Sequence, residues 1–535
     1  MFHQLVIPIG GSLSLSFLVA ALPIATVLVL LGILRRPAWQ ASAAGLVVAL
    51  VLAAGPWRLP FGLALDSIAA GAVFALWPVM WIVVNGLLLF NLAVSSGRFE
   101  AFRAWLVQHL PNDQRVVLVV IGFSFGCLLE GVSGFGTPIA ITSALLIALG
   151  FRAVDALVFT LMFNTAPVAF GALGSPVTTL AAVTQLPDHV LGAMIGRQLP
   201  IIAVLLPFYV IAVFGGTRAW RGVWPVLLVA GGSFAIGQFL SANYLGYALT
   251  DVISSSVSLV VTIAFLKVWR MPHDPAYALS PVAASEVAAR PPAMASWLGW
   301  VPWLVLTAVV IAWIHLKLPL IGQQAIAWPG LDKAVFITLY KQPYAAVWTF
   351  QPLATGTAIL AATVVTAILV GASPAQFAKA ARLSLKQVRL PALTTSLIVG
   401  LAYLMNYSGM AYTLGLAVAS AGVLFPLLSA FLGWLAVFLS GSDTSGNALF
   451  GNLQVVAARQ LHLSPVLMAA TNSSGGVMGK MISPQNISTG TSVTQLKGME
   501  GAVLARTFKH SVILTFFLGL LVLVQQYVLP GVIPG

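Results

Sequence analysis

Apolar residues recur along the whole chain in runs of about twenty, the length at which an α-helix crosses the hydrocarbon layer of a bilayer, with short polar or basic stretches between them. The runs predict spans at 13–34, 39–56, 68–95, 153–186, 199–214, 223–242, 247–267, 297–315, 351–370, 391–408, 464–496 and 509–530. Two further segments, 116–149 and 424–457, each hold two apolar arms around a turn rich in Gly and Ser. Such arms are short for a crossing and such turns are too polar for lipid, so both are expected to be re-entrant hairpins.

The polar interruptions repeat. LLEGVSGFGTPIAI begins at Leu128, and NTAPVAFGALGSP runs from Asn164 to Pro176; LSGSDTSGNALFGN begins at Leu439, and NSSGGVMGKMISP runs from Asn472 to Pro484. Both Asn-to-Ser-Pro blocks are thirteen residues long with Gly at the eighth position, Gly171 and Gly479, and each is followed by VTQL. A spacing of roughly 310 residues is far too long for a solenoid. Polar, Gly-rich centres inside apolar segments are how the broken helices of inverted-repeat transporters read.

Composition agrees with a membrane medium: 60% of residues are hydrophobic and 7% are charged. The opening MFHQLVIPIG lacks the features of a cleaved signal peptide. The net charge of +13 follows from a positive-inside bias rather than from a nucleic-acid partner. With the N-terminus outside, most basic residues fall in inner loops, the first hairpin enters from the cytoplasm and the second from the exterior, so the copies are inverted. The chain then divides into N-terminal spans (1–67), a first repeat (68–215) with hairpin 116–149 and broken helix 153–186, intervening spans (216–270), a Pro- and Ala-rich cytoplasmic linker (271–296), spans 297–370 with an outer loop 316–350, a second inverted repeat (371–508) with hairpin 424–457 and broken helix 464–496, and a C-terminal span (509–535). Residues 375–389 carry Lys379, Arg382, Lys386 and Arg389 on one helical face, as an interfacial helix on anionic lipid headgroups would.

Glu130 and Asp443 are the two acids placed at the hairpin turns; the other ten are expected in loops or near span ends. An intramembrane carboxylate costs roughly 2.5–3.5 kcal/mol on insertion scales and is by default a functional-site candidate; desolvation lets such a group take up and release protons near neutral pH, which makes Glu130 and Asp443 the candidates for any coupled proton. The pairs Thr137-Pro138, Ser175-Pro176 and Ser483-Pro484 read as helix starts inside the membrane. Their free N–H groups favour an anion such as a carboxylate, and Gly134, Gly136, Gly174, Gly475 and Gly476 permit close backbone approach to it. Lys480 is expected to meet a substrate carboxylate, to pair with Asp443 when the site is empty, or to reach the interface along its stem. Ser133, Thr137, Asn164, Ser175, Ser445, Asn447, Asn472, Ser473 and Ser483 are candidate hydroxyl or amide contacts. Cys127 is the sole cysteine, and the seven histidines do not stand at metal-ligand spacing with acids, so no cofactor or metal is called for. The GFSFG at Gly122 to Gly126 lacks the strand and histidine of a nucleophile elbow, which argues against an enzyme.

Over essentially its full length, through LLEGVSGFGTPIAI, NTAPVAFGALGSP, NYSGM, SGSDTSGNALFGN and NSSGGVMGKMISPQNI, the chain resembles the bacterial lactate permease family. That resemblance implies a proton symporter of 2-hydroxymonocarboxylates, chiefly lactate and often glycolate, in the bacterial inner membrane. It also implies kinship with the broad ion-transporter superfamily of inverted repeats and hairpins. The residues themselves leave a sodium-coupled carrier of the same fold open, and leave open whether the protein is a monomer or a homodimer.

Overall fold

The computed structural model describes residues 1–534 except Arg35, Phe135, His273, 280–293, Gln495 and Lys497. The expected linker 271–296 therefore lies largely outside the described residues. Ten helices among those described are long and apolar enough to cross a bilayer, and a pair bent by 65°, Ala153–Phe163 with Val168–Thr184, makes an eleventh crossing if counted as one. The shorter apolar helices Ala38–Ala54 and Thr355–Leu369 fall where hydropathy places spans. The protein is a multi-pass membrane protein whose spans are all helical.

Several boundaries differ from the hydropathy reading for identifiable reasons. Residues 375–389 and 391–408 form one helix, Pro374–Ser408, rather than an interfacial helix followed by a span. A reciprocal capping box between Ser373 and Gln376 starts it. Pro391 does not end it, because in a membrane helix neighbouring groups re-satisfy the one backbone acceptor that proline frees. Similarly, 199–214 is the later part of a helix that already begins at Asp188, whose polar start a hydropathy window discards, and its end coincides with a break at Gly215 and Gly216, the latter at φ 70°. The helix Met410–Val418, absent from the hydropathy reading, precedes the arm Phe425–Ser440.

Both expected hairpin segments consist of two helices about a short break. The first pairs Gln114–Val132 with Thr137–Ala148; the second pairs Phe425–Ser440 with Asp443–Gln460. The arm Gln114–Val132 is 19 residues and long enough to cross, contrary to the length expected, and it is wholly enclosed by other protein segments. Burial from lipid rather than shortness distinguishes it, which is the condition under which non-helical backbone is tolerated at membrane depth.

The stretch 316–350 is not a bare loop. Gln324–Ala327 pairs antiparallel with Val347–Phe350, while Val335–Ile337 pairs antiparallel with Gln342–Pro343 and parallel with the N-terminal Phe2–His3. Gln4 extends this anchorage: its amide donates to the carbonyls of Asn406 (2.8 Å) and Tyr407 (3.1 Å). The N-terminus is thereby tied to the end of the Pro374–Ser408 helix, where backbone acceptors need partners.

Candidate functional site

The two copies of the Asn-to-Ser-Pro block fold differently, and single residues explain why. In the first, the helix ends at Phe163, Pro167 removes a donor, and a 3₁₀ turn spans Val168–Phe170. Ala172, Leu173 and Gly174 then take positive φ of 45°, 55° and 80°, so regular helix resumes only at Ser175-Pro176. In the second, Gly475 stands where the first copy has Pro167, and the helix Pro465–Lys480 continues unbroken to Met481. It restarts at Pro484, with Ser483 in the extended N-cap conformation and no side-chain capping bond. The Thr137-Pro138 pair lies one residue out of the expected register: Gly136, at φ 81°, is the cap, and Thr137 opens the helix. The Thr137 side chain lies outside the described ones.

Gly475 and Gly479 do not face a ligand, as had been expected of Gly475. A methyl group on Gly479 would stand 2.8 Å from the Phe438 nitrogen and against the Trp434 carbonyl, and one on Gly475 would meet the Ala430 carbonyl. These two glycines, four apart, let the helix press onto Phe425–Ser440, as small residues do at membrane helix interfaces. Gly476 instead leaves room for Asp443 Oδ1.

The segments meet at a cavity of about 150 Å³, lined by Glu130, Gly134, Ala172, Ser175, Asp443 and Lys480 together with Ser442, Thr444, Gln485, Asn486 and Thr489. Its size is well below the roughly 300–1,000 Å³ of pockets for drug-sized ligands. Ala172 and Lys480 occupy equivalent repeat positions and both line it, which places the second repeat's cation opposite the first repeat's break. Lys480 Nζ lies 2.6 Å from Glu130 Oε1, and Asn164 Nδ2 donates to Glu130 Oε2 at 3.0 Å. Lys480 therefore pairs with Glu130, not with Asp443 and not at the interface. Gly171 permits this, since a Cβ there would lie 2.9 Å from Glu130 Oε1.

Asp443 is held separately. Ser473 donates to its Oδ2 at 2.5 Å and Asn447 Nδ2 at 3.3 Å, while Oδ1 is buried without a partner. Behind them Asn472 donates to Asn447 Oδ1 (2.9 Å), and Gln454 to Asn472 Oδ1 (3.2 Å). Asn447 also donates to the Pro176 carbonyl at 3.2 Å, tying this network to the first broken helix. Of the expected contacts, Gly134, Ser175 and Lys480 line the cavity. Asn164, Asn447, Asn472 and Ser473 form a layer around the two acids, and Ser445 is buried within the Asp443–Gln460 helix. Ser133 bonds back to the Leu129 carbonyl at 2.8 Å. The Ser483 hydroxyl is buried and unpartnered beside Gly441.

Sequence reasoning missed Gln485, Asn486 and Thr489, although they directly follow the Ser483-Pro484 helix start. It placed Asp251 near a span end, where the structure has it in the first turn of the helix Thr250–Val268, but it did not foresee that Asp251 is completely buried.

Two larger cavities flank the central one. One, of about 570 Å³, is lined by Thr178, Tyr344, Trp348, Tyr403 and Tyr407; the other, a groove of about 510 Å³, is lined by Arg36, Pro484, Gln485 and Glu500. The helix that restarts at Ser175 runs from the central cavity to the 570 Å³ one, and Gln485 borders both the central cavity and the 510 Å³ groove.

Buried charges of both signs around a small cavity, at the broken ends of membrane helices and between two wider openings, define a membrane transport protein rather than an enzyme. The chain belongs to the L-lactate permease family, whose model matches residues 16–529. It is 40% identical to the glycolate permease of Escherichia coli (strain K12), over 99% of each chain. It is 38% identical to the L-lactate permease of Bacillus subtilis (strain 168), over 98% of this chain and 99% of that one. Among solved structures it is similar to MtrF of Neisseria gonorrhoeae, at 13% identity with a TM-score of 0.49, over 94% of this chain and 97% of that one. The protein is a multi-pass permease of the bacterial inner membrane.

Proposed function

We propose that this permease imports L-lactate, together with D-lactate and glycolate, by symport with a proton. The observation that carries the reading is the Lys480–Glu130 pair on the cavity wall. Lys480 is the one cation among the described residues lining that cavity, so a substrate carboxylate competes with Glu130 for it. Protonation of Glu130 releases the ammonium, and the entering monocarboxylate replaces the lost charge. One proton and one lactate anion then enter together with no net charge, and the buried site never holds an uncompensated ion. The names of the relatives support the substrate class, and the cavity's size suits a two- or three-carbon acid.

In this reading the helix N-terminus at Ser175 assists Lys480 in holding the carboxylate, and the substrate hydroxyl bonds Thr444 or Asn486. Asp443 is the second carboxyl able to carry the proton. The two hairpin segments act as re-entrant elements of inverted repeats, moving against the remaining helices to open the cavity to one side at a time. The test is labelled-lactate uptake into proteoliposomes under an imposed inward proton gradient. Accumulation that follows the pH gradient supports symport; no accumulation refutes it.

A sodium-coupled carrier is the second reading, favoured by one observation: Asp443 Oδ1 is buried without a donor, beside the Ser473 and Thr444 hydroxyls. Replacing external Na⁺ by choline at fixed pH separates the two readings. Uptake that collapses in choline selects sodium.

A further inference from the structure

The central cavity has two kinds of wall. Lys480, Thr444 and Asn486, which the reading above assigns to the substrate carboxylate and hydroxyl, all come from the second repeat. Among the described lining residues other than glycines, only Val168, Ala172, Pro176 and Pro391 have side chains without a polar atom. Three of these four belong to the broken helix of the first repeat. A 2-hydroxy acid carries a third group on its α-carbon, a hydrogen in glycolate and a methyl in lactate. With the polar groups held on the polar wall, that third group is left to the apolar one, where burying a methyl is favourable and no polar atom is stripped of its partner.

One contact limits the space on that side. Gly134, at φ 54°, and Ala172, at φ 45°, come from the two backbone breaks of the first repeat and both line the cavity. A Cβ built on Gly134 would stand 3.1 Å from Ala172 Cβ, so the pair holds a single methyl where two would crowd. Ala172 also packs in an apolar cluster with Val83, Leu87 and Val388. Space opened at Ala172 therefore meets apolar side chains. Its repeat counterpart is Lys480, so the position that supplies a cation in one half is reduced to a methyl in the other.

We propose that the Gly134–Ala172 contact determines specificity: it receives the third substituent of the substrate's α-carbon and sets how large that substituent can be. The one methyl at this contact leaves room for a hydrogen or a methyl and excludes an ethyl group. The inference rests on reading the cavity as the 2-hydroxymonocarboxylate site, and it holds whichever ion is coupled.

The test measures uptake of labelled glycolate, lactate and 2-hydroxybutyrate in proteoliposomes and compares ratios of kcat/KM, which do not depend on how much of the protein is active. Ala172→Gly removes the methyl at a backbone conformation that glycine adopts readily. It is expected to raise 2-hydroxybutyrate relative to lactate by about tenfold, the low end of what one methylene is worth in a hydrophobic pocket. Gly134→Ala adds a methyl on the other side of the contact and is expected to lower lactate relative to glycolate by about tenfold. The double variant moves the methyl across the contact and is expected to bring both ratios back toward wild type. Ratios within about twofold of wild type in both single variants, well short of one methylene's worth, overturn the proposal. If Gly134→Ala fails to fold, Ala172→Gly decides alone by the same criterion. A wild type that carries none of the three acids removes the reading of the site and this inference together; a wild type that carries lactate and glycolate, with ratios unmoved in the variants, removes this inference alone.

Discussion

Lys480 and Glu130 lie 350 residues apart in sequence and 2.6 Å apart in space, joining the second copy of the repeated motif to the first. The contact brings the cation of one half to the acid of the other at the wall of the central cavity. In the proposed symport, coupling between proton and anion would follow from this one contact, because the same ammonium cannot be fully satisfied by Glu130 and by a substrate carboxylate at once.

Removing either partner alone leaves a buried charge. Lys480→Met is expected to cost about 3–5 kcal/mol of stability, seen as a lower unfolding temperature of the purified protein. The double variant Glu130→Gln with Lys480→Met is expected to recover most of that loss. Strict additivity of the two single changes would show that the pair is not energetically coupled.

Glu130→Gln keeps the shape of the side chain and removes its proton chemistry. It is expected to abolish pH-driven accumulation while retaining exchange of labelled for unlabelled lactate, since the ammonium of Lys480 remains available to the anion. Normal uphill transport by this variant would exclude Glu130 from coupling.

The close approach of helix Pro465–Lys480 to Phe425–Ser440 is expected to be intolerant of a methyl group. Gly479→Ala places its Cβ 2.8 Å from the Phe438 nitrogen and should destabilise by about 1–3 kcal/mol. Gly501→Ala is the control, since a Cβ there meets no atom within 4 Å and a helical Gly-to-Ala change stabilises by roughly 0.5–1 kcal/mol. Comparable behaviour of the two variants in thermal unfolding would contradict the packing argument.

In the stretch 316–350, burial first, and then the neighbouring Tyr412 and Tyr407, hold the Tyr344 phenol well above the usual tyrosine range. The folded state therefore keeps a proton that the unfolded chain loses. That contribution is complete below the unfolded value of about 10 and is lost as pH rises beyond it. Unfolding temperature should fall at alkaline pH, and Tyr344→Phe should flatten that fall. An unchanged alkaline slope in the variant would show that Tyr344 does not contribute.

Hydropathy and the repeated blocks were enough to place most helices. Glu130 and Asp443 stood out for the same reason: a charge in hydrocarbon is so costly that its presence is informative wherever it falls. The helix restarts at Ser175-Pro176 and Ser483-Pro484 were equally legible, because proline's fixed φ and missing N–H act on the local backbone. Helices were misjudged where a polar start lies outside a hydropathy window, as at Asp188, or where a proline is tolerated, as at Pro391.

What determined the local pattern was the bilayer's demand that backbone polar groups be satisfied within each segment, and this is a property of the sequence by itself. Which acid Lys480 meets, whether Gly475 faces a ligand or a helix, and that Asp251 is sealed off from solvent were decided only by tertiary packing. Such pairings depend on distances between segments hundreds of residues apart, and no local spacing encodes them.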